Sequence, residues 1–139
     1  MPYFDCTYRV PYADTDQMQV VYYANYLEYF ERSRTEMFRD AGLSYAAMEE
    51  MGYYLPVAEA NCKYKGSARY DDLLTFRSWV DEIGKVQVKL CTEVIRDGKV
   101  LVSGHVWLGC VDKNVRISRI PPEILKYCKM CTPQESEQL

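Results

Sequence analysis

The apolar residues of this chain change their spacing once, and this change limits the folds that the chain can adopt. Between residues 26 and 41, side chains that can form one buried helix face recur every three or four residues: Tyr26, Tyr29, Phe30, Ser33, Met37 and Ala41. From Tyr53 onwards, apolar residues alternate with polar ones, as they do in strands with one buried face. The pattern therefore predicts one long helix followed by about four long strands.

Local signals predict where these elements begin and end. Asn25 is expected to cap the start of the long helix, and Gly42 to follow its end. On the solvent side of this helix, Glu28 lies four residues before Arg32, and Glu31 lies three residues before Arg34. These spacings favour ion pairs along the helix. A short second helix is expected from Ser44 to about Met51, with Gly52 ending it.

Turn residues divide the later half into strands. A short strand is expected at 6–10, before the helix, and another at 53–64, where Pro56 requires an edge position or a bulge. Strands follow at 74–81, 86–94 and 100–111, and the dipeptide Asp97-Gly98 is typical of a two-residue hairpin. A short helix is expected at about 123–130. This order predicts an α+β fold in which one antiparallel sheet packs on one long helix.

Length and charge narrow the class of protein. The 139 residues fit one domain, which we place at 1–139, with a polar tail at 132–139 that should fray. With 17 Lys and Arg against 20 Asp and Glu, the formal net charge of -3 argues against nucleic-acid binding. Apolar runs are too short to span a membrane. The start, Met1-Pro2-Tyr3, has no basic leader, so we expect a cytoplasmic protein.

Cysteine and histidine offer little for a metal site. The six cysteines are irregularly spaced, and Cys128 and Cys131 alone form a C-x-x-C pair. Structural zinc sites usually need a second pair or added histidines, so we predict buried free thiols and no metal. The single histidine, His105, lies in the middle of a predicted strand, and we expect it to be structural.

Two acids, Asp14 and Asp16, stand just before the long helix. The amides at a helix N-terminus lack partners inside the helix and favour negative charge. A carboxylate beside such amides could support acyl transfer. The carboxylate would act as the base or nucleophile, and the amides would stabilise the developing oxyanion. The same residues also suit a simple turn and cap, and their spacing does not decide between the two.

Three stretches resemble the 4-hydroxybenzoyl-CoA thioesterase family of hotdog proteins, in its YbgC-like branch. They are Tyr12-Ala13-Asp14-Thr15-Asp16, then Val20-Val21-Tyr22-Tyr23-Ala24-Asn25-Tyr26-Leu27, then Phe30-Glu31-Arg32-Ser33-Arg34-Thr35-Glu36. A weaker match joins Tyr64 to Ala68-Arg69-Tyr70-Asp71-Asp72-Leu73. The resemblance implies the hotdog fold, in which an antiparallel sheet wraps around one central helix.

The resemblance also implies hydrolysis of acyl-CoA or acyl carrier protein thioesters, without a cofactor. Asp16 would be the catalytic carboxylate, acting as a nucleophile or as a general base. The backbone N–H of Tyr23 would polarise the thioester carbonyl, and Tyr12 would shape the site. Near the second motif, Lys63, Lys65 and Arg69 are candidates for binding the phosphates of CoA. Besides the substrate, we expect the chain to bind further copies of itself, as a homodimer or homotetramer.

The chain departs from the family pattern at two positions. Gln19 stands three residues after Asp16, where members often have glycine, so it is expected to strain or reshape the loop. Tyr23 stands where many YbgC-like members have histidine, which puts imidazole assistance in doubt. Two rival functions are an enoyl-thioester hydratase, which would need an Asp–His pair, and a non-catalytic acyl-thioester-binding protein.

Overall fold

A computed structural model describes residues 3–133, which form three α-helices and seven β-strands. The helices are α1 (Asn25–Ala41), α2 (Tyr45–Glu50) and α3 (Pro122–Met130). The strands are β1 (Phe4–Arg9), β2 (Tyr53–Tyr54), β3 (Val57–Tyr64), β4 (Leu73–Ile83), β5 (Gln87–Arg96), β6 (Lys99–Gly109) and β7 (Val111–Asp112). Residues 134–139 of the polar tail predicted to fray lie outside the described residues.

Five strands form one antiparallel sheet in the order β1-β4-β5-β6-β3. The predicted hairpin joins β5 to β6, with positive φ angles of 51° at Asp97 and 78° at Gly98. Such a pair of angles is what a two-residue hairpin turn requires. The strand predicted at 53–64 is interrupted around Pro56: β2 pairs with β7, and β3 forms one edge of the large sheet. The predicted α+β class is confirmed.

Helix α1 packs against one face of the sheet. Its buried face consists of Tyr26, Tyr29, Phe30, Ser33, Arg34, Met37 and Phe38. At Gly104 in β6 the helix approaches so closely that an added Cβ would lie 2.7 Å from Cε2 of Phe30. The same Cβ would lie 2.0 Å from the carbonyl oxygen of Asn61 in β3, so the position has no room for a side chain.

A row of three hydroxyl groups crosses the core beneath the middle of α1. Ser33 Oγ lies 2.6 Å from Ser78 Oγ, which lies 2.8 Å from Thr92 Oγ1. All three side chains are buried, so the hydroxyl groups provide one another with the hydrogen-bond partners that water cannot supply there. The row lies between two apolar clusters, one around Tyr29 and Phe76 and the other around the C-terminal half of α1.

Two of the helix predictions hold and one is wrong. Ser44 caps α2, since its Oγ accepts a 3.1 Å hydrogen bond from the N–H of Ala47. Gly42 ends α1 with φ 110°. Asn25, however, is the first residue of α1 and not its cap; Ala24 holds that position without a side-chain hydrogen bond. The side-chain amide of Asn25 donates instead to the carbonyl oxygen of Asp14, 3.2 Å away, because the loop before α1 folds back onto the start of the helix.

The ion pairs predicted along α1 are also wrong. Among the described residues, neither Glu28 with Arg32 nor Glu31 with Arg34 forms a salt bridge. The guanidinium of Arg32 lies 5.1 Å from the ring centroid of Tyr8, in a cation–π contact. Arg34 is buried and so does not belong to the solvent side of the helix.

The opposite face of the sheet carries the side chains that alternate with those packed on α1. His105 lies there, next to Gly104, which faces the helix. Its Nε2 lies 3.4 Å from Oε2 of Glu59 on the neighbouring strand β3. Within residues 3–133, no helix is both long and apolar enough to cross a membrane.

Candidate functional site

Asp16 lies in the loop that connects β1 to α1. Its N–H donates to the carbonyl oxygen of Val20 at 3.0 Å, and the N–H of Gln19 donates back to the carbonyl oxygen of Asp16 at 2.9 Å. Val20 also forms a β-bridge with Arg69. The loop is therefore held against the segment that contains the weaker sequence motif, far along the chain.

The carboxylate of Asp16 is partly exposed and only partly hydrogen-bonded. Its Oδ1 accepts a 2.8 Å hydrogen bond from the N–H of Met18. Across residues 3–133, no donor reaches its Oδ2. One oxygen therefore fixes the orientation of the side chain, while the other can interact with a ligand.

This carboxylate opens onto a small cavity of about 320 Å³. The cavity is lined by Tyr12, Thr15, Asp16, Gln19, Arg69 and Tyr70. The ring of Tyr12 meets the ring of Tyr70 edge to face, with centroids 5.9 Å apart. The structure thus brings together three of the predicted site residues, namely Asp16, Tyr12 and Arg69.

Gln19 has a φ angle of 66°, in the left-handed region that glycine adopts without strain. Among ordinary side chains this region is uncommon and costs about 1 kcal/mol or more. This position therefore has the special backbone angle on which the expected strain at Gln19 depends. Gln19 lines the cavity next to Asp16, where glycine would contribute no side-chain atoms.

Asp14 is the structural centre of the same loop. Its Oδ2 accepts hydrogen bonds from the phenols of Tyr8, at 2.8 Å, and Tyr29, at 2.7 Å. Its carbonyl oxygen accepts from the N–H of Tyr22 at 2.9 Å. Burial, together with the carboxylate of Asp14, raises the pKa of Tyr8 to about 12 and raises that of Tyr29 as well. Both phenols therefore remain protonated donors at neutral pH.

Tyr23 lies at the start of α1, outside the residues that line the cavity of Asp16. Within the described chain, the N–H groups of Tyr23 and Ala24 find no acceptor. The pKa of Tyr22 is raised, first by its contact with the Tyr23 phenol and also by the negative charge of Asp16. The two unpaired amides thus lie just before α1, outside the residues that line the cavity of Asp16.

The other predicted cations lie elsewhere. Lys63 is opposite Ser103 in the pairing of β3 with β6, so it shares the face of the sheet that carries His105, away from α1. Lys65 follows the end of β3, where its N–H donates to the carbonyl oxygen of Leu101. Neither lysine is among the residues that line the cavity of Asp16.

Three residues at this site were not among the site residues predicted from the sequence. Tyr70 contacts Tyr12 edge to face, and the phenol of Tyr64 donates to the carbonyl oxygen of Tyr23 at 3.2 Å. Tyr29 braces Asp14. Each is a tyrosine in a chain that has 13, so residue type gave no signal. For Tyr70, its place directly after Arg69 in the second motif was the available clue.

The cysteines do not contribute to the site. All six are free thiols, and Cys110, Cys128 and Cys131 are buried. Burial raises the pKa of Cys128 to about 12 and that of Cys131 to about 11, so these thiols stay protonated. Among residues 3–133, no group of three or more His, Cys, Asp and Glu side chains is placed to hold a metal ion.

Comparison with known proteins agrees with this architecture. The profile of the Thioesterase-like superfamily matches residues 10–127, a range that includes the loop, α1 and the large sheet except β1. The chain belongs to this superfamily of hotdog proteins.

Individual relatives agree with that assignment. The putative acyl-CoA thioesterase YneP of Bacillus subtilis is 40% identical over 110 residues, which are 76% of this chain and 78% of the relative. The acyl-CoA thioesterase YbgC of Haemophilus influenzae is 34% identical over 110 residues, 78% of this chain and 81% of the relative. Among solved structures, the DHNA-CoA thioesterase of Staphylococcus aureus superposes with a TM-score of 0.86 at 27% identity, covering 92% of this chain and 89% of that one.

Proposed function

We propose that this protein is an acyl-CoA thioesterase, which hydrolyses a thioester to a carboxylic acid and CoA. The observation that carries the proposal is the position of Asp16, a carboxylate with one unpaired oxygen that lines a cavity and lies in the loop leading into α1. Membership of a thioesterase superfamily, and relatives named as acyl-CoA thioesterases, support it. We place this activity on one domain whose central helix is α1, and we expect that domain to be cytoplasmic.

Asp16 would start the reaction. As a general base, it would take a proton from water while the water oxygen bonds to the thioester carbon. The carbon–sulfur bond would then break, and the proton would pass to the departing CoA thiolate. As a nucleophile, Asp16 would instead bond to the thioester carbon and expel the CoA thiolate, which leaves an anhydride. Water would hydrolyse the anhydride, restore the Asp16 carboxylate and supply the proton that the thiolate takes up. In both routes the carbonyl oxygen becomes negative.

The amides of Tyr23 and Ala24 would stabilise that negative oxygen. They are unpaired donors at the positive end of the α1 dipole, which is the environment that lowers the energy of an oxyanion. The phenol of Tyr64 donates to the carbonyl oxygen of Tyr23 and so restrains this segment of backbone. Tyr12 and Tyr70 would pack against the part of the thioester that enters the cavity.

Arg69 is the best placed of the three proposed CoA-binding cations, because it lines the same cavity as Asp16. Lys65 precedes Arg69 by four residues, whereas Lys63 lies on the face of the sheet away from α1. For Lys63 to meet CoA bound at Asp16, the substrate would have to pass around the β3 edge. If the thioester is carried by an acyl carrier protein, Arg69 would instead bind the phosphate of that protein's prosthetic group.

We further propose that the protein is at least a homodimer, formed through β3. This strand is one edge of the large sheet; its charged residues are Glu59 and Lys63, and along it Val57 and Tyr64 are 51% and 49% exposed. Unpaired edge strands tend to pair with another chain unless charge or proline blocks them. Light scattering of the purified chain would test this, since a monomer at micromolar concentration would contradict it.

The position of His105 argues against the rival hydratase function. The hydratase reaction in this fold would need a histidine beside the catalytic acid, and the only histidine of the chain is on the face of the sheet away from α1. A non-catalytic binding protein would not need the partly free carboxylate of Asp16.

The test is the variant Asp16→Asn, which removes the charge and keeps the shape. We expect hydrolysis of an acyl-CoA panel, followed with a thiol reagent, to fall by about 100-fold or more. Asp97→Asn is the matched control, because Asn-Gly is an equally good hairpin sequence. Turnover by Asp16→Asn close to that of the unmodified protein would reject the role of Asp16. No turnover of any thioester by the unmodified protein would reject the function.

A further inference from the structure

Arg34 is a buried arginine without an acidic partner. It is 7% exposed, and its Nε is inaccessible to solvent and donates to no acceptor within residues 3–133. It takes part in none of the ion pairs of the described chain. A guanidinium stays charged at any ordinary pH, and an unpaired buried charge is strongly unfavourable. Its two Nη groups are not among the inaccessible unpaired atoms and form no hydrogen bond within residues 3–133, so they are the donors open to an anion.

The side chain of Arg34 lines a cavity of about 600 Å³ beside the middle of α1. The rest of the wall is mainly apolar: Tyr45, Met48, Leu55, Val57, Val111 and Val115. This volume is within the usual range of small-molecule sites, and an apolar wall with few polar groups is their usual composition. The cavity shares no lining residue with the one at Asp16.

Three other charged residues reach this cavity, and all are exposed: Glu31, Glu49 and Lys113. Water and salt screen exposed charges, while a buried charge is screened much less. The two carboxylates form no salt bridge with Arg34. The buried guanidinium therefore dominates the electrostatics inside the cavity.

We propose that this second cavity binds an organic carboxylate with an apolar body, and that Arg34 pairs with its carboxylate group. The fork of N–H donors on arginine matches the two oxygens of a carboxylate, and the apolar wall matches a hydrocarbon or aromatic body. Two sources share this chemistry: a free carboxylic acid, or the far end of an acyl group that has a second carboxylate. The latter source rests on the proposed function, whereas binding itself does not.

Calorimetric titration tests the proposal with three probes: octanoate, octanol as its neutral counterpart, and acetate, which lacks the apolar body. We expect octanoate to bind about tenfold more tightly than octanol or acetate. Arg34→Gln should weaken octanoate by about tenfold and leave octanol unchanged, while Arg34→Lys should retain part of the affinity. Arg32→Gln is the matched control, and it should bind octanoate like the unmodified protein.

A second variant keeps the test valid if Arg34→Gln does not fold. Val111→Phe fills the cavity and retains Arg34, so it should weaken octanoate and octanol together. Octanoate binding that neither variant changes would overturn the proposal. So would an Arg34→Gln protein that loses only its oligomeric state in light scattering, since a carboxylate of a second copy would then be the anion.

The two sources are separated by comparing suberoyl-CoA with octanoyl-CoA as substrates. If the anion is the far end of an acyl group, Arg34→Gln should lower kcat/KM for suberoyl-CoA by about tenfold and leave octanoyl-CoA unchanged. If it is a free acid, the ratio of the two kcat/KM values should not change, while octanoate binding is still lost. A protein inactive towards both substrates would reject the proposed function without affecting the titration.

Discussion

The phenol of Tyr29 in α1 donates a 2.7 Å hydrogen bond to Oδ2 of Asp14, and this bond joins the long helix to the loop before it. Tyr8 on β1 donates to the same oxygen. One carboxylate oxygen therefore holds the sheet edge, the loop and the helix together, two residues before Asp16. The first acid of the pair positions the loop, and the second faces the cavity.

Tyr29→Phe should lower the free energy of unfolding by about 2 kcal/mol, because a buried hydrogen bond to a charged group is lost. Urea unfolding measures this. Since the loop carries Asp16, we also expect a several-fold lower kcat. Tyr54→Phe, at an exposed tyrosine, is the control and should change neither quantity. A Tyr29→Phe protein of unchanged stability would show that the bond contributes nothing.

Stability should fall in alkali because of Tyr8. Its pKa rises from 10.0 to about 12 on folding, through burial and then its bond to Asp14. The unfolded chain therefore loses this proton first, so the contribution of Tyr8 is complete below about pH 10 and lost as the pH rises to about 12. Urea unfolding at pH 8, 10 and 11.5 should show a smaller decline for Tyr8→Phe than for the unmodified protein. Equal declines would contradict the assignment.

Gly104→Ala should destabilise the fold by about 3 kcal/mol or more, because the new Cβ would meet the Asn61 carbonyl oxygen at 2.0 Å and Phe30 at 2.7 Å. The control is Gly109→Ala on the same strand, where nothing lies within 4 Å of an added Cβ. Thermal unfolding of the two variants measures the difference. Equal melting temperatures would mean that α1 does not approach β6 as described.

Gln19→Gly should relieve the strain of the left-handed φ angle of 66°. We expect the free energy of unfolding to rise by up to about 1 kcal/mol, while Gln19→Val should lower it by a similar amount or more. Gln17→Gly, at an exposed residue nearby, should not stabilise. If both glycine variants have the same effect, the strain at Gln19 is absent.

His105→Ala should leave kcat/KM within a few-fold of the unmodified value, because His105 contacts Glu59 on the face of the sheet away from α1. A pH–rate profile of the same variant should keep its shape. Loss of activity by several orders of magnitude would show that this imidazole takes part in the chemistry.

Arg69→Gln should raise the KM for an acyl-CoA by about tenfold with little change in kcat, since it would remove a cation that binds substrate and transition state equally. Lys63→Gln, a change of the same charge on the far face of the sheet, should have a smaller effect. A larger rise in KM for Lys63→Gln than for Arg69→Gln would show that CoA binds on the face of the sheet that carries Lys63.

The sequence by itself determined the long helix, the long strands and their order. Helical spacing between Tyr26 and Ala41, period-two alternation after Tyr53 and the turn at Asp97-Gly98 are local signals, and each predicts local backbone geometry without reference to the rest of the chain. The motif around Asp16 similarly indicated the loop to examine, and it indicated the superfamily.

Only the tertiary structure decided which residues meet. Asp14 and Asp16 look alike in sequence, and their difference arises because Tyr8 and Tyr29 come from separate elements to meet one of them. Asn25 was predicted as a cap, but the folded-back loop offers it the carbonyl oxygen of Asp14 instead. Arg34 was predicted to pair at the surface and is buried. Contacts between residues distant in the chain depend on packing, and local spacing does not encode them.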